Sequence, residues 1–215
     1  MSAQPPLPPH QPPPPQQPDY NRAAQEAMAR VKAASQDALK AAMTLVYNPV
    51  GGLPTAYASL PGSAALGVGI VFMVVWLVLS ILGATFGASL PIPWSGVPFS
   101  YKLRAIVLLL CIPAGMALGM FVARMALKGA GSLAFDVFVA GAALLLVGVA
   151  TFIGGMLGGN IFGILMLAAF VLCVLVVFTA LTRISGIKEG PAAYMTVGVF
   201  LIAGLLMRIM TSVLF

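Results

Sequence analysis

Charge is what this sequence has least of. Asp, Glu, Lys and Arg make up 7% of its 215 residues, against roughly 25% in an average soluble domain, and so little charge excludes an ordinary water-facing surface. Histidine and cysteine are almost as scarce: His10, Cys111 and Cys173 are all there are. Both cysteines fall in apolar segments with no Cys or His at ligand spacing, so they read as small buried hydrophobes rather than as a disulfide or a metal site. Acid–base or metal chemistry inside a membrane needs Asp, Glu, His or Cys converging in the spans. The chain offers no Ser-His-Asp or Cys-His arrangement and no glycine-rich phosphate loop. We therefore expect no enzyme, no cofactor, and no catalytic, cofactor-binding or metal-ligating residue. The first 30 residues lack the apolar core of a cleavable signal, and none is expected. A net charge of +6 would suggest nucleic acid in a soluble protein. Here the basic residues sit at segment ends, where they orient helices, and no nucleic-acid partner is expected.

What the chain does have is long apolar runs. It is 60% hydrophobic, with a mean hydropathy of +1.04. From Val137 to Thr182 not one charged residue intervenes, and the run is long enough to cross a bilayer twice at about 20 residues per helix. Its middle, Gly154-Gly155-Met156-Leu157-Gly158-Gly159-Asn160, supplies the residues of a turn, so the run predicts a helical hairpin in lipid.

Taken in order, residues 1–18 hold the run PPLPPHQPPPPQQP, too poor in large apolar side chains to fold, and predict a disordered, extended tail. Residues 19–47 predict an amphipathic helix lying at the membrane interface. Met28, Val31, Ala38, Leu39, Ala42, Leu45 and Val46 form one apolar stripe, with Arg30, Lys32, Asp37 and Lys40 mostly off it. Two surfaces suit this stripe, anionic lipid or the protein's own cytoplasmic face. Residues 48–62, with Asn48-Pro49 and Gly51-Gly52, predict a linker. Residues 63–215 then form a domain of five spans, at about 63–88, 103–127, 132–154, 160–182 and 192–214. Pro91, Pro93, Ser95-Gly96 and Pro98 keep the segment from Ser89 to Tyr101 a turn-rich connection, and Pro113 should kink the second span. Ser132 is the expected N-cap of the third.

The fold class is thus all-α, a polytopic transmembrane bundle of five spans with an N-terminal interfacial helix and a proline-rich tail. Five crossings put the termini on opposite sides. With the N-terminus inside, Arg22, Arg30, Lys32, Lys40, Arg124, Lys128, Arg183 and Lys188 are cytoplasmic, and Lys102, Arg104 and Arg208 are outside, so the basic bias favours N-in, C-out. In a cell with two membranes this is the inner one.

Asp136 is the only acid inside a predicted span, and Arg208 the only basic residue well inside one. Asp136 is in the first turn of the third, within reach of water and Lys128, and reads as a cap or interfacial ion-pair partner ahead of a proton relay. Arg208, near the end of the fifth, can snorkel outward, and the two sit near opposite faces. Small residues recur at helical spacing: Gly83 and Gly87, Gly115 and Gly119, and Gly155, Gly159 and Gly163. They suit close packing within the monomer, and second to that contact with another membrane protein or a second copy.

A segment YNPVGGLPTAYASL at Tyr47 to Leu60, ahead of five closely spaced spans and behind a hydrophilic N-terminal region, resembles the YIP1 family in its bacterial branch. The resemblance runs from about Met43 to Phe215. It implies a five-span integral membrane protein with a cytoplasmic N-terminus. The short acidic and aromatic motif of the eukaryotic members is absent. Their association with small GTPases and vesicle traffic, and any functional residue, is therefore not carried over. The expected role is a non-catalytic membrane component that organises lipid or recruits partners; the alternative is a small transporter or channel subunit.

Overall fold

The computed structural model describes residues 20–60, 64–86 and 96–214, which form helices and short connections, and no strand occurs among them. The helices are α1 (Tyr20–Tyr47), α2 (Gly52–Ala58), α3 (Ala64–Phe86), α4 (Phe99–Ala126), α5 (Leu133–Leu157), α6 (Gly159–Thr179), which continues through a π-helical turn (Ala180–Ile184), and α7 (Glu189–Leu214). Helices α3 to α7 are long and apolar enough to cross a membrane. The fold is the all-α, five-span architecture that the composition predicts. The proline-rich tail, and Pro91, Pro93 and Trp94 in the connection between α3 and α4, lie outside the described residues.

Local chemistry sets the ends of these helices, and in three places it corrects the sequence reading. The expected linker at 48–62 contains α2. Its entry is a tight corner: the Asn48 side chain accepts a hydrogen bond from the Gly51 N–H at 2.8 Å, and the Asn48 carbonyl accepts from the Gly52 N–H at 2.9 Å. Pro54 does not prevent the helix because it is the third residue, in the first turn, where a backbone N–H has no partner to lose. Second, α4 begins at Phe99 rather than Leu103, directly after Pro98, with Pro113 buried inside it. Third, the hairpin turn shrinks to Gly158. Gly158 and Gly159 take positive φ of 68° and 58°, which only glycine adopts cheaply, while Gly154 and Gly155 remain helical.

Gly154 and Gly155 stay in the helix because a close contact requires them there. A Cβ on Gly155 would sit 2.5 Å from the Gly83 carbonyl oxygen, and one on Gly154 would sit 2.9 Å from the Phe162 ring. The same holds along the whole α3–α5 seam. A Cβ on Gly69 would meet the Phe138 backbone at 2.7 Å, one on Gly148 would meet Trp76 at 3.0 Å, and one on Gly141 would collide with the Gly69 carbonyl oxygen. Gly69, Trp76 and Gly83 on α3, and Gly141, Gly148 and Gly155 on α5, each recur every seven residues. This is the period of a left-handed pair, and the register shows that the two helices run parallel. Helices α4 and α7 pack antiparallel in the same manner, Gly115 against Ala203 and Gly119 against Val199.

Helix α5 is the centre of the bundle. Some 61% of its most apolar window is buried, against 11% for α7. Phe135 and Phe138 at its start pack against Tyr57 of α2, with ring centroids 5.2 and 5.6 Å apart, and Phe138 also meets Phe72 of α3 at 6.0 Å. Helices α6 and α7 turn Ile164, Leu167, Phe170, Val197, Leu201 and Leu205 outward, a surface suited to hydrocarbon. Of the predicted glycine pairs, Gly83, Gly115, Gly119 and Gly155 pack inside the monomer. Gly159 and Gly163 have nothing within 4 Å, and Gly87 is not among the described residues.

Gly141→Ala or Gly155→Ala should therefore destabilise the protein by about 1–3 kcal/mol through overpacking against backbone that cannot yield. Gly163→Ala should be neutral or slightly stabilising, since alanine is the better helix former by about 1 kcal/mol. Unfolding midpoints of the three variants in detergent would check this.

Candidate functional site

The one buried ion pair among the described residues joins the last turn of α4 to the first turn of α5. Arg124 Nη2 donates to Asp136 Oδ2 at 2.8 Å, and Nε donates to Oδ1 and Oδ2 at 3.1 and 3.3 Å. Asp136 has no exposed surface and Arg124 retains 7%. Each charge also suits its own helix, the cation at the carbonyl end of α4 and the anion at the amide end of α5. The link between the helices completes the clasp. Arg124 Nη1 donates to the Gly131 carbonyl at 3.2 Å, its guanidinium lies 5.6 Å from the Phe121 ring centroid, and Ser132 Oγ caps α5 by accepting from the Phe135 N–H at 3.4 Å. Gly131 must be glycine on two counts: its φ is 129°, and a Cβ would stand 2.9 Å from Phe135 and 3.0 Å from Arg124 Cδ.

This corrects the expectation for Asp136. It is an ion-pair partner, but of Arg124 rather than Lys128, and it is fully enclosed rather than open to water. Lys128 takes a left-handed conformation, φ 53°, which ends α4 and turns the chain into the link. Arg208 is exposed on α7. Cys173 is buried and Cys111 half-buried, both unbridged, and Cys111 donates to the Val107 carbonyl at 3.3 Å. Among the described residues no three His, Cys, Asp or Glu side chains come together, and His10 lies outside them. In the sequence Arg124 reads only as one of the basic residues at segment ends, and its pairing with Asp136 depends on how α4 and α5 are placed.

The clasp is continuous with the next loop. The Ala130 N–H donates to the Ser185 carbonyl at 2.9 Å, and a Cβ on Gly129 would press on Ile187 and Ser185. The loops α4–α5 and α6–α7, the α1–α2 corner and the aromatic contact of Tyr57 with α5 therefore gather at one end of the bundle.

At that end α1 presents two faces where one stripe was expected. Ala38, Ala41 and Leu45 are buried against the protein, whereas Met28, Leu39, Met43, Val46 and Tyr47 are exposed. At about 100° per residue the two sets point roughly two-fifths of a turn apart, so the inward set anchors the helix and the outward set remains available. Ala42 is half-buried between them, and the side chains of Val31, Arg22, Glu26 and Arg30 are not described. Lys32 and Lys40 are exposed. Compared with protein-family models, curated proteins and solved structures, the chain finds no match.

Asp136→Asn should lower the unfolding free energy by about 3–5 kcal/mol, because it leaves a buried guanidinium without its counter-charge. Removing both charges together, as Arg124→Leu with Asp136→Leu, should return most of that loss. Lys128→Ala should change stability by less than about 0.5 kcal/mol. Detergent-micelle unfolding of the set tests the pairing, and a loss with Lys128→Ala equal to that with Asp136→Asn would refute it.

Proposed function

We propose that this is a non-catalytic, multi-pass membrane protein of YIP1-like type, in the inner membrane with its N-terminus cytoplasmic, which organises lipid or recruits partners through α1. The observation that carries the reading is the division of labour on that helix. Ala38, Ala41 and Leu45 hold it to the bundle, while Leu39, Met43, Val46 and Tyr47 stay uncovered beside Lys32 and Lys40. A helix fixed on one side and apolar with flanking cations on another suits an anionic membrane surface or a partner helix. The buried Arg124–Asp136 pair fits a scaffold role, since it fastens α4 to α5 at the same end of the bundle.

A photo-crosslinking residue at Leu39 or Val46 of the full-length protein in native membranes should capture lipid or a second protein, and one at Ala38 should capture only its own chain. Silence at both outward positions would overturn the role of α1, and ion or solute flux in proteoliposomes would replace the reading with transport. For orientation, cysteine in place of Gly96 in a background without Cys111 and Cys173 should label from the outer side only. Cysteine in place of Lys188 should label from the inner side only, and the reverse pattern would invert the topology.

A further inference from the structure

The corner that begins α2 forms one wall of a cleft whose other wall is the end of α6. The cleft has a volume of about 320 Å³ and is lined by Val50, Gly51, Pro54, Thr179 and Arg183, at the small end of the range, roughly 300–1,000 Å³, that holds ligands. Arg183 is exposed and has no counter-ion among the described residues, and no carboxylate lines the cleft. Among the described residues Thr179 is one of two helical threonines, with Thr55, whose hydroxyl is not bonded back to its own helix, and of the two only Thr179 lines the cleft. Thr44, Thr85, Thr151, Thr182, Thr196 and Thr211 each donate to the carbonyl four residues back, but the Thr179 hydroxyl makes no such bond. A planar cation with parallel donors beside an uncommitted hydroxyl matches the oxygens of a phosphate group.

What leads into the cleft decides the carrier of that phosphate. Leu167, Val171 and Leu175, all exposed, precede Thr179 and Arg183 at a constant spacing of four, so the five side chains form one ridge along α6. Its apolar part, from Leu167 to Thr179, rises about 18 Å at 1.5 Å per residue, slightly more than half of a hydrocarbon core about 30 Å thick. An apolar track one leaflet long, ending in a cationic notch, has the amphipathic profile of a glycerophospholipid. We propose that the cleft binds the phosphate diester of a membrane lipid in the leaflet on the α1 side, with Arg183 holding the phosphate and an acyl chain lying along Leu167, Val171 and Leu175. The outward face of α1 takes no part in this site, so either can fail without the other.

The test uses the full-length protein in mild detergent and native mass spectrometry, with phosphatidylglycerol and, as control, diacylglycerol of the same acyl chains. Phosphatidylglycerol should remain bound while diacylglycerol does not. Arg183→Gln should weaken retention about tenfold, as loss of a bidentate cation does, with the unfolding midpoint unchanged. Val50→Trp, which fills the cleft and keeps the charge, should give the same loss, and Lys188→Gln should leave retention as it was. Retention in Arg183→Gln, or an equal loss in Lys188→Gln, overturns the site. Displacement of the lipid by millimolar inorganic phosphate overturns the lipid assignment and gives the cleft to a soluble phosphate compound.

Discussion

Backbone meets backbone along the α3–α5 seam, and the rest of the bundle is arranged around that contact. Within hydrocarbon there is no hydrophobic gain in bringing two apolar helices together, because lipid tails are as apolar as leucine, so association rests on close van der Waals approach. Gly69, Gly83, Gly141 and Gly155 allow it by having nothing to interpose. Once α5 is set against α3, its other flanks take α6, as the second arm of the hairpin, and α4, through the Arg124–Asp136 clasp. Helix α7 is then held chiefly by α4, at Gly115 and Gly119.

One end of the protein is rich in polar contacts. At the end carrying α1, the chain spends its few polar groups on fixing geometry: Asn48 on the α2 corner, Ser132 on the α5 cap, Arg124 and Asp136 on the clasp, and the Ala130–Ser185 bond on the two loops. The buried ion pair sits where each charge also favours its own helix terminus, which offsets part of the cost of removing it from water. A polar device of this kind gives one arrangement of α4 against α5, which the uniform apolar surfaces of the two helices would not select by themselves.

How much of this was legible in the sequence follows from which forces act locally. The five spans could be read because an unpaired backbone in lipid is so costly that about 20 apolar residues must run as helix. The Ser132 cap could be read because it acts within three residues. The Gly154–Asn160 turn was drawn too wide because Gly154 and Gly155 look like helix breakers until their contacts with Phe162 and Gly83 are known. The seven-residue period of Gly69, Trp76 and Gly83 on α3, and of Gly141, Gly148 and Gly155 on α5, is not a spacing of four, and Leu39 and Val46 share a sequence stripe with Ala38 and Leu45 because amphipathicity counts apolar residues without saying what covers them. Partners distant in sequence, Arg124 for Asp136 and Arg183 for the NPVGGL corner, depend on how helices are placed and carry no local signal.

The pairing of α4 with α7 bears on how the protein is made. Val199 follows Gly119 by about 80 residues, so at a synthesis rate of about 5–20 residues per second the bare glycine face of α4 waits some seconds in the membrane before its mate emerges. By the end of that interval α3, α4, α5 and α6 have all been made, and the seam on α4 is still open. The insertion machinery, or lipid itself, must occupy that seam until the last helix closes it.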